Sequence, residues 1–219
     1  MSKKKPFNYY AVRNGRKPGI YNSWSEIEPL VKHYAGARYK GFYKIEDAKK
    51  YMDETPNWSE ISNYQKADVV VYTDGGMRSR VNIGAFAFII DDHMTGRKKF
   101  AKRAIPNVTN QQMELAALYI FLKHNHKYKD KKVAIVTDSK YLFHTMTSGW
   151  LKAWKKNNWI KRDGKPVKNV GFMKGIYKEI APFKDIHFHW VKGHAKNLGN
   201  DYVDQLVNIA MDDYIRQNM

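Results

Sequence analysis

Two apolar runs that each end in an aspartate constrain this chain more than any other feature. VVVYTDGG runs into Asp74 and VAIVTDSK into Asp138. Runs of Val, Ile and Tyr this short read as buried central strands, and open α/β sheets place ligands beyond strand ends. A carboxylate left uncompensated there is strongly unfavourable unless it is paired or metal-bound. Two further acids, Glu114 in TNQQMELAAL and Asp204 in GNDYVDQL, stand beside the apolar stripes of helices, with few basic residues near any of the four in sequence. Glu114 and Asp204 read as first-turn acids, which the helix dipole favours in any case, and Asp138 could serve only to cap the next helix. All four together form a set suited to two divalent cations.

Charge points to the kind of partner. The chain has 39 Lys and Arg against 21 Asp and Glu, a net +18, and 14% aromatic residues. Such a surplus attracts a polyanion, and the aromatic content favours nucleic acid, whose bases offer faces to stack on. A generic basic surface kept for solubility is the plainer alternative. With no Cys, disulfides and Cys-ligated zinc are excluded, which fits a reducing compartment. No apolar run reaches the roughly 18–20 residues that span a bilayer. The start, MSKKKPFNYY, has no apolar segment of the kind a secretory signal needs. A cytoplasmic protein with no membrane partner is expected, and a monomer, since no sustained heptad is present.

The pattern divides the 219 residues into 1–52, a linker 53–67 and 68–219. The first part reads as strand, turn, strand, then a helix opened by a Ser23/Glu26 capping box with the stripe Ile27, Leu30, Val31, Tyr34. ARYKGFY is a third strand and IEDAKKYM a short helix, giving ββαβα. The linker DETPNWSEISNYQKA is polar and without either period. Residues 1–52 carry +8 (12 basic minus 4 acidic) and 68–219 carry +12 (26 minus 14), so both are expected to touch the polyanion. In 68–219, VVVYTDGG, GAFAFIIDD, RKKFAKRAI, VAIVTDS and IHFHWVKGH read as five strands. Thr109 and Gln112 form a capping box for a helix with core face Met113, Ala116, Ala117, Ile120 and Phe121. A helix follows VAIVTDS through Leu142 and Met146, and a last one buries Val203, Leu206, Val207 and Ala210. Strands first and alternating helices and strands after predict an α/β fold, a five-stranded mixed sheet flanked by helices. His187 and His189 alternate on a strand and read as structural.

Oxygen ligands without Cys select Mg²⁺ or Mn²⁺ over zinc. Two such ions about 3.5–4 Å apart can activate a water and stabilise a leaving oxygen in phosphoryl displacement. YTDGG, TNQQMEL, VTDSKYL, GWLKAWKKNNWIKRDGKPVKNV and WVKGHAKNLGNDYVDQL, in that order, resemble the motifs of type 1 ribonuclease H. Residues 7–52, with YAVRNGRKPGIYNSW and ARYKGF, resemble the N-terminal hybrid-binding domain of such enzymes, also found in plant-virus viroplasmins. The resemblance implies an endonuclease cutting the RNA strand of RNA–DNA hybrids with two Mg²⁺, Mn²⁺ substituting, to leave 5′-phosphate and 3′-hydroxyl ends. It implies that Asp74 bridges both ions, that Asp204 completes the water-activating one, and that Glu114 and Asp138 hold the one near the leaving group. His194, in the Gly-rich KGHAKNLGN, would carry a proton or aid product release; an unperturbed His titrates near pH 6.5.

The same resemblance implies contacts to RNA 2′-hydroxyls from Gly75, Gly76, Asn110 and Gln111. It puts a DNA-strand phosphate at Thr109 and Asn169. Trp150 and Trp154, one helical turn apart, with Lys155 and Lys156 beside them and Lys152 and Lys161 interleaved, would take deoxyriboses and phosphates. Both tryptophans could instead pack in the core, and at least one is expected to be part-buried. In the small domain the matching positions are Tyr10, Trp24, Arg38, Tyr39 and Lys40, with duplex RNA a further partner that the resemblance admits. The chain departs from the family at Gly76, where many relatives carry Ser, at Gly41, where many have a basic residue, and at RSRVNIG, which leaves Asn82 without an assigned contact. A non-catalytic, viroplasmin-like binder is the alternative reading, though it has no need of four repelling acids. A different metal nuclease on the same fold is a third, but the Asp-x-Glu pair of the exonucleases is absent at Asp74-Gly75-Gly76.

Overall fold

The computed structural model describes residues 6–32, 34, 37–53, 66–193 and 197–218. The chain forms two compact units, Met1–Trp58 and Ser59–Met219.

The small unit runs β1 (Tyr9–Asn14), β2 (Gly19–Tyr21), α1 (Trp24–Val31), β3 (Arg38–Phe42) and α2 (Ile45–Asp53). Its sheet is antiparallel in the order β2-β1-β3. Strand alternation sends Tyr10 and Val12 to the face covered by α1, where Val12, Ile27 and Val31 cluster. The Ser23 hydroxyl accepts from the Glu26 N–H at 3.4 Å and donates to the Glu26 carboxylate at 2.7 Å. The helix ends at Val31, so Tyr34 of the predicted stripe lies outside it. The reason lies in the β1–β2 turn. Arg16 donates from its guanidinium to the Pro29 and Lys32 carbonyls (2.6 and 3.0 Å) and from its N–H to Leu30 (2.9 Å), capturing the orphan carbonyls of the last turn.

The large unit has the five-stranded mixed sheet expected of it, in the order β6-β5-β4-β7-β8. β4 (Val69–Arg78), β5 (Ile83–Asp92) and β6 (Arg97–Pro106) are antiparallel; β7 (Lys132–Thr137) and β8 (Asp185–Trp190) extend the sheet in parallel from β4. The helices are α3 (Asn110–His124), α4 (Lys140–Thr147), α5 (Trp150–Lys156), α6 (Val170–Ile180) and α7 (Leu198–Asn218). The capping box at Thr109 and Gln112 is complete. Around α3, Leu115, Leu118 and Leu122 are fully buried in addition to the predicted face, while Ile120 is only half-buried. α3 packs on both the sheet and α6, and a helix covered on two sides must be apolar nearly all round. In α7, Val203, Val207 and Ala210 are buried and Leu206 half-buried.

Asn82 closes the β4–β5 turn with φ of 52° and donates from its side-chain amide to Asn107 Oδ1 at 2.6 Å. Asn tolerates this left-handed region better than most residues. It thus shapes the turn.

Candidate active site

Asp74 lies within β4 rather than at its end, because the β4–β5 hairpin continues to Arg78. The parallel pairing of β4 with β7, however, stops at Tyr72↔Val136. Asp74 therefore emerges just past the end of β7, and Asp138 follows that end directly. The two strand acids meet where the antiparallel and parallel halves of the sheet join. Glu114 and Asp204 both fall in the second turn of their helices, not the first; the only acid in the first turn of α7 is Asp201, and α3 has none there. The dipole thus explains neither, which removes the plain reading of both residues.

Gly75 brings Glu114 to the strand. A Cβ on Gly75 would lie 2.2 Å from the Glu114 nitrogen, so α3 can press onto β4 only over a glycine. Gly76 faces α7, where a Cβ would come within 2.9 Å of Val207 Cγ1. A side chain at 76 would have to share that space with Val207.

Carboxylate oxygens of Asp74, Glu114 and Asp138 lie within 4.8 Å of one another. Burial, then the charges of Asp138 and Asp204, push the Asp74 carboxyl up to about 8. Burial, then Asp74 and Asp138, push Glu114 up to about 9. Among the described residues, no basic group is among the influences on either. Glu114 Oε2 is buried and makes no close hydrogen bond among the described residues, while Oε1 accepts from the Asn110 amide at 3.3 Å; the Ser139 hydroxyl, with Asn110, partly offsets the rise. Three crowded acids, with no neutralising cation among the described residues, suit hard divalent ions. Asp204 stands outside this tight group, but its charge reaches Asp74.

Three polar residues that sequence reasoning missed hold these acids. Asn200, 2% exposed, donates to Asp138 Oδ2 at 3.2 Å. Asn208 donates to the Asp204 carbonyl at 3.0 Å and to Oδ1 at 3.3 Å. Arg78 donates to Asn208 Oδ1 at 3.4 Å and pairs with Asp212, so the Asn208 amide is turned with its nitrogen toward Asp204. The i, i+4 spacing of Asp204, Asn208 and Asp212 was a usable signal. Nothing local in sequence ties Arg78 to them.

His194 lies outside the described residues. The segment leading to it passes over Asp138: Trp190 Nε1 donates to the Asp138 carbonyl at 2.9 Å, and a Cβ on Gly193 would lie 2.8 Å from Oδ2. His187 pairs with Asp185, and burial, then the His187 charge, lowers the pKa of His189.

The candidate nucleic-acid residues fall on different elements. Asn110 is exposed beside Glu114, and Gln111 has a buried Oε1 that finds no hydrogen-bond partner among the described residues. Thr109 and Asn169 are the N-caps of α3 and α6, which pack together; the Asn169 amide nitrogen is buried, with the Tyr141 hydroxyl the group it acts on. Trp150 is 42% exposed, whereas Trp154 packs against the core, their rings 5.7 Å apart. Lys155 and Lys156 are exposed, and Lys161 pairs with Asp163. In the small unit Tyr10, Trp24 and Tyr39 touch ring to ring, at 6.0 and 5.4 Å. Lys40 alternates to the opposite face, its ammonium 5.4 Å from the Phe42 ring. Arg38 begins β3.

Two families match the sequence: RNase H over residues 66–212 and the ribonuclease H1 N-terminal domain over 8–52. A ribonuclease H of Rickettsia typhi is 38% identical over 138 residues, 63% of this chain and 87% of that protein. Among solved structures, LC9-RNase H1, a type 1 RNase H with the type 2 active-site motif, superposes with a TM-score of 0.57 at 22% identity, over 66% of this chain and 72% of that one. A foamy viral protease-reverse transcriptase in complex with an RNA/DNA hybrid gives 0.59 at 20% identity, over 72% of this chain and 21% of that one. With both of its units matched in order, the chain belongs to the RNase H family, as a type 1 enzyme that carries a ribonuclease H1 N-terminal domain.

Proposed function

We propose that this ribonuclease H hydrolyses the RNA strand of RNA–DNA hybrids endonucleolytically by two-metal-ion chemistry, leaving 5′-phosphate and 3′-hydroxyl ends. The observation that supports it most is the cluster of Asp74, Glu114 and Asp138, whose oxygens lie within 4.8 Å of one another, with the Asp204 charge close enough to act on Asp74. Two Mg²⁺ ions, or Mn²⁺ in their place, held by these four residues would supply water activation and leaving-group stabilisation. Asp74 is assigned to both ions, Asp204 to the one on the water side, and Glu114 and Asp138 to the one on the leaving-group side. Asn200 and Asn208 hold Asp138 and Asp204 in place for that task. His194 is assigned proton transfer or product release.

Gly75, Gly76, Asn110 and Gln111 border the acids, where they can read 2′-hydroxyls, the group that separates RNA from DNA. Thr109 and Asn169 take a phosphate of the DNA strand, and Trp150, Trp154, Lys155 and Lys156 its sugars and further phosphates. Residues 1–52 hold the hybrid through Tyr10, Trp24, Arg38, Tyr39 and Lys40, with 53–67 as linker to the catalytic domain, 68–219. The enzyme acts as a monomer in the cytoplasm. Among the described residues no helix is long and apolar enough to cross a membrane.

Asp74→Asn tests the assignment. Cleavage is expected to vanish while hybrid binding survives; cleavage at the wild-type rate would remove Asp74 from the reaction.

A further inference from the structure

The small unit exposes more aromatic surface than its three ring-to-ring candidates account for. Phe7 is 41% exposed and Tyr43 55%, beside Trp24 and Tyr39 at 42% each. The rings form one continuous path. Tyr39 meets Trp24 at 5.4 Å, Trp24 meets Tyr10 at 6.0 Å, Tyr10 meets Phe7 at 6.0 Å, and Phe7 meets Tyr43 at 4.9 Å.

Gly41 permits this arrangement. It lies opposite Tyr10 in the β1–β3 register, strand alternation puts Tyr39 and Gly41 on one face, and Tyr43, just past the end of β3, joins that face through its contact with the Phe7 ring. A Cβ at Gly41 would lie 2.1 Å from Phe7 Cδ2, so the ring occupies the space that any side chain at 41 would need. Phe7 is held there by its neighbour. The Asn8 N–H donates to the Phe42 carbonyl at 3.0 Å, and its amide to the Tyr43 carbonyl at 2.9 Å.

We infer that Phe7 and Tyr43 extend the nucleic-acid contact of the N-terminal unit, with the Phe7 ring filling the space over Gly41. The ligand class follows from the chemistry of the strip and its setting. An exposed run of joined rings calls for a partner with apolar faces. Residues 1–52, with 12 basic and 4 acidic side chains, call for a polyanion, and Lys44, next to Tyr43, is exposed. Sugar and base faces between phosphates satisfy both demands. The inference rests on the proposed hybrid substrate and adds to it ring contacts at one end of the strip, beside Gly41.

The test is hybrid binding by the full-length protein in EDTA, which prevents cutting, across a series of salt concentrations. Phe7→Leu and Tyr43→Leu are each expected to weaken affinity about three- to tenfold while leaving the salt dependence unchanged. A lost phosphate contact would instead make the log–log slope shallower by about 0.7–0.9. Gly41→Ala, which drives the Phe7 ring off the strand, should weaken binding as much as Phe7→Leu and add little to it in the double variant. Wild-type affinity in both leucine variants, or a shallower slope, would overturn the inference, and a lowered melting temperature with unchanged binding would show that the rings only pack on one another. The two readings fail separately. If the wild-type protein cuts hybrids in Mg²⁺ and the variants bind as it does, only the ring extension is wrong. If the wild-type protein neither binds nor cuts hybrids, the proposed function falls with it.

Discussion

The two units carry opposite kinds of unfavourable chemistry. The large one buries like charges: Asp74 and Glu114 sit among other acids, with burial pushing both carboxyls far above their ordinary range. The small one exposes apolar rings that a unit of its size would gain by covering. Each feature works against the free protein and would be relieved by the partner proposed for it, divalent cations for the first and a polyanion with stackable faces for the second. A fold keeps such features where they serve a site.

The contrast breaks first at Asp74. Asp74→Asn is expected to lower cleavage by at least about 10³-fold, roughly 4 kcal/mol of transition-state stabilisation, measured as single-turnover rate in Mg²⁺. The same change should stabilise the metal-free protein. A carboxyl with its pKa raised in the folded state holds a proton that the unfolded chain releases, so its unfavourable contribution grows as pH rises from about 4 through about 8–9. Melting temperature in EDTA is therefore expected to fall between pH 6 and 9 more steeply for the wild type than for Asp74→Asn, and Mg²⁺ should restore it only in the wild type. Parallel curves would mean that the acids are not crowded as described.

Removing residues 1–52 probes the other side of the contrast. Affinity for a long hybrid is expected to drop by about 10²-fold at low salt, with the single-turnover rate at saturating enzyme little changed. An equal affinity would leave the rings without a nucleic-acid part.

A smaller effect is expected at the residues behind the acids. Asn208→Ala should raise the Mg²⁺ concentration for half-maximal activity about tenfold, with a matching loss in the thermal shift that Mg²⁺ induces. Arg78→Met should do the same to a lesser degree and add little in the double variant, because Arg78 acts by turning the Asn208 amide. Additive losses would separate the two residues. Smallest of all, Asn82→Gly keeps the turn geometry but loses the bond to Asn107, worth about 1 kcal/mol. Hybrid affinity should not move.

What could be read in the sequence depended on how local each cause is. Asp74 and Asp138 were visible because each follows an apolar run, and Thr109 because its capping box lies within four residues. The extension of β4 beyond Asp74 was hidden, since it depends on pairing with β5 rather than on the run itself. Glu114 and Asp204 read one turn too early: counting from the Thr109 cap itself puts Glu114 in the second turn, and α7 begins at Leu198, before the GNDYVDQL segment that holds Asp204. Tyr34 left its helix because Arg16, on another turn, ends α1. Arg78 and Asn208 meet across 130 residues of chain, beyond any local signal. Tyr39, Gly41 and Tyr43 displayed their period of two openly, but only the Phe7 ring over Gly41 gave that spacing a meaning.

The most direct measurement is cleavage of a strand-labelled RNA–DNA hybrid, in Mg²⁺ and in EDTA, beside duplex RNA and duplex DNA. The expected result is cutting of the hybrid's RNA strand alone, abolished by EDTA, with a 5′-phosphate on each downstream product. Tight binding of the hybrid without cutting in either Mg²⁺ or Mn²⁺ would contradict it and leave the four acids without their assigned chemistry.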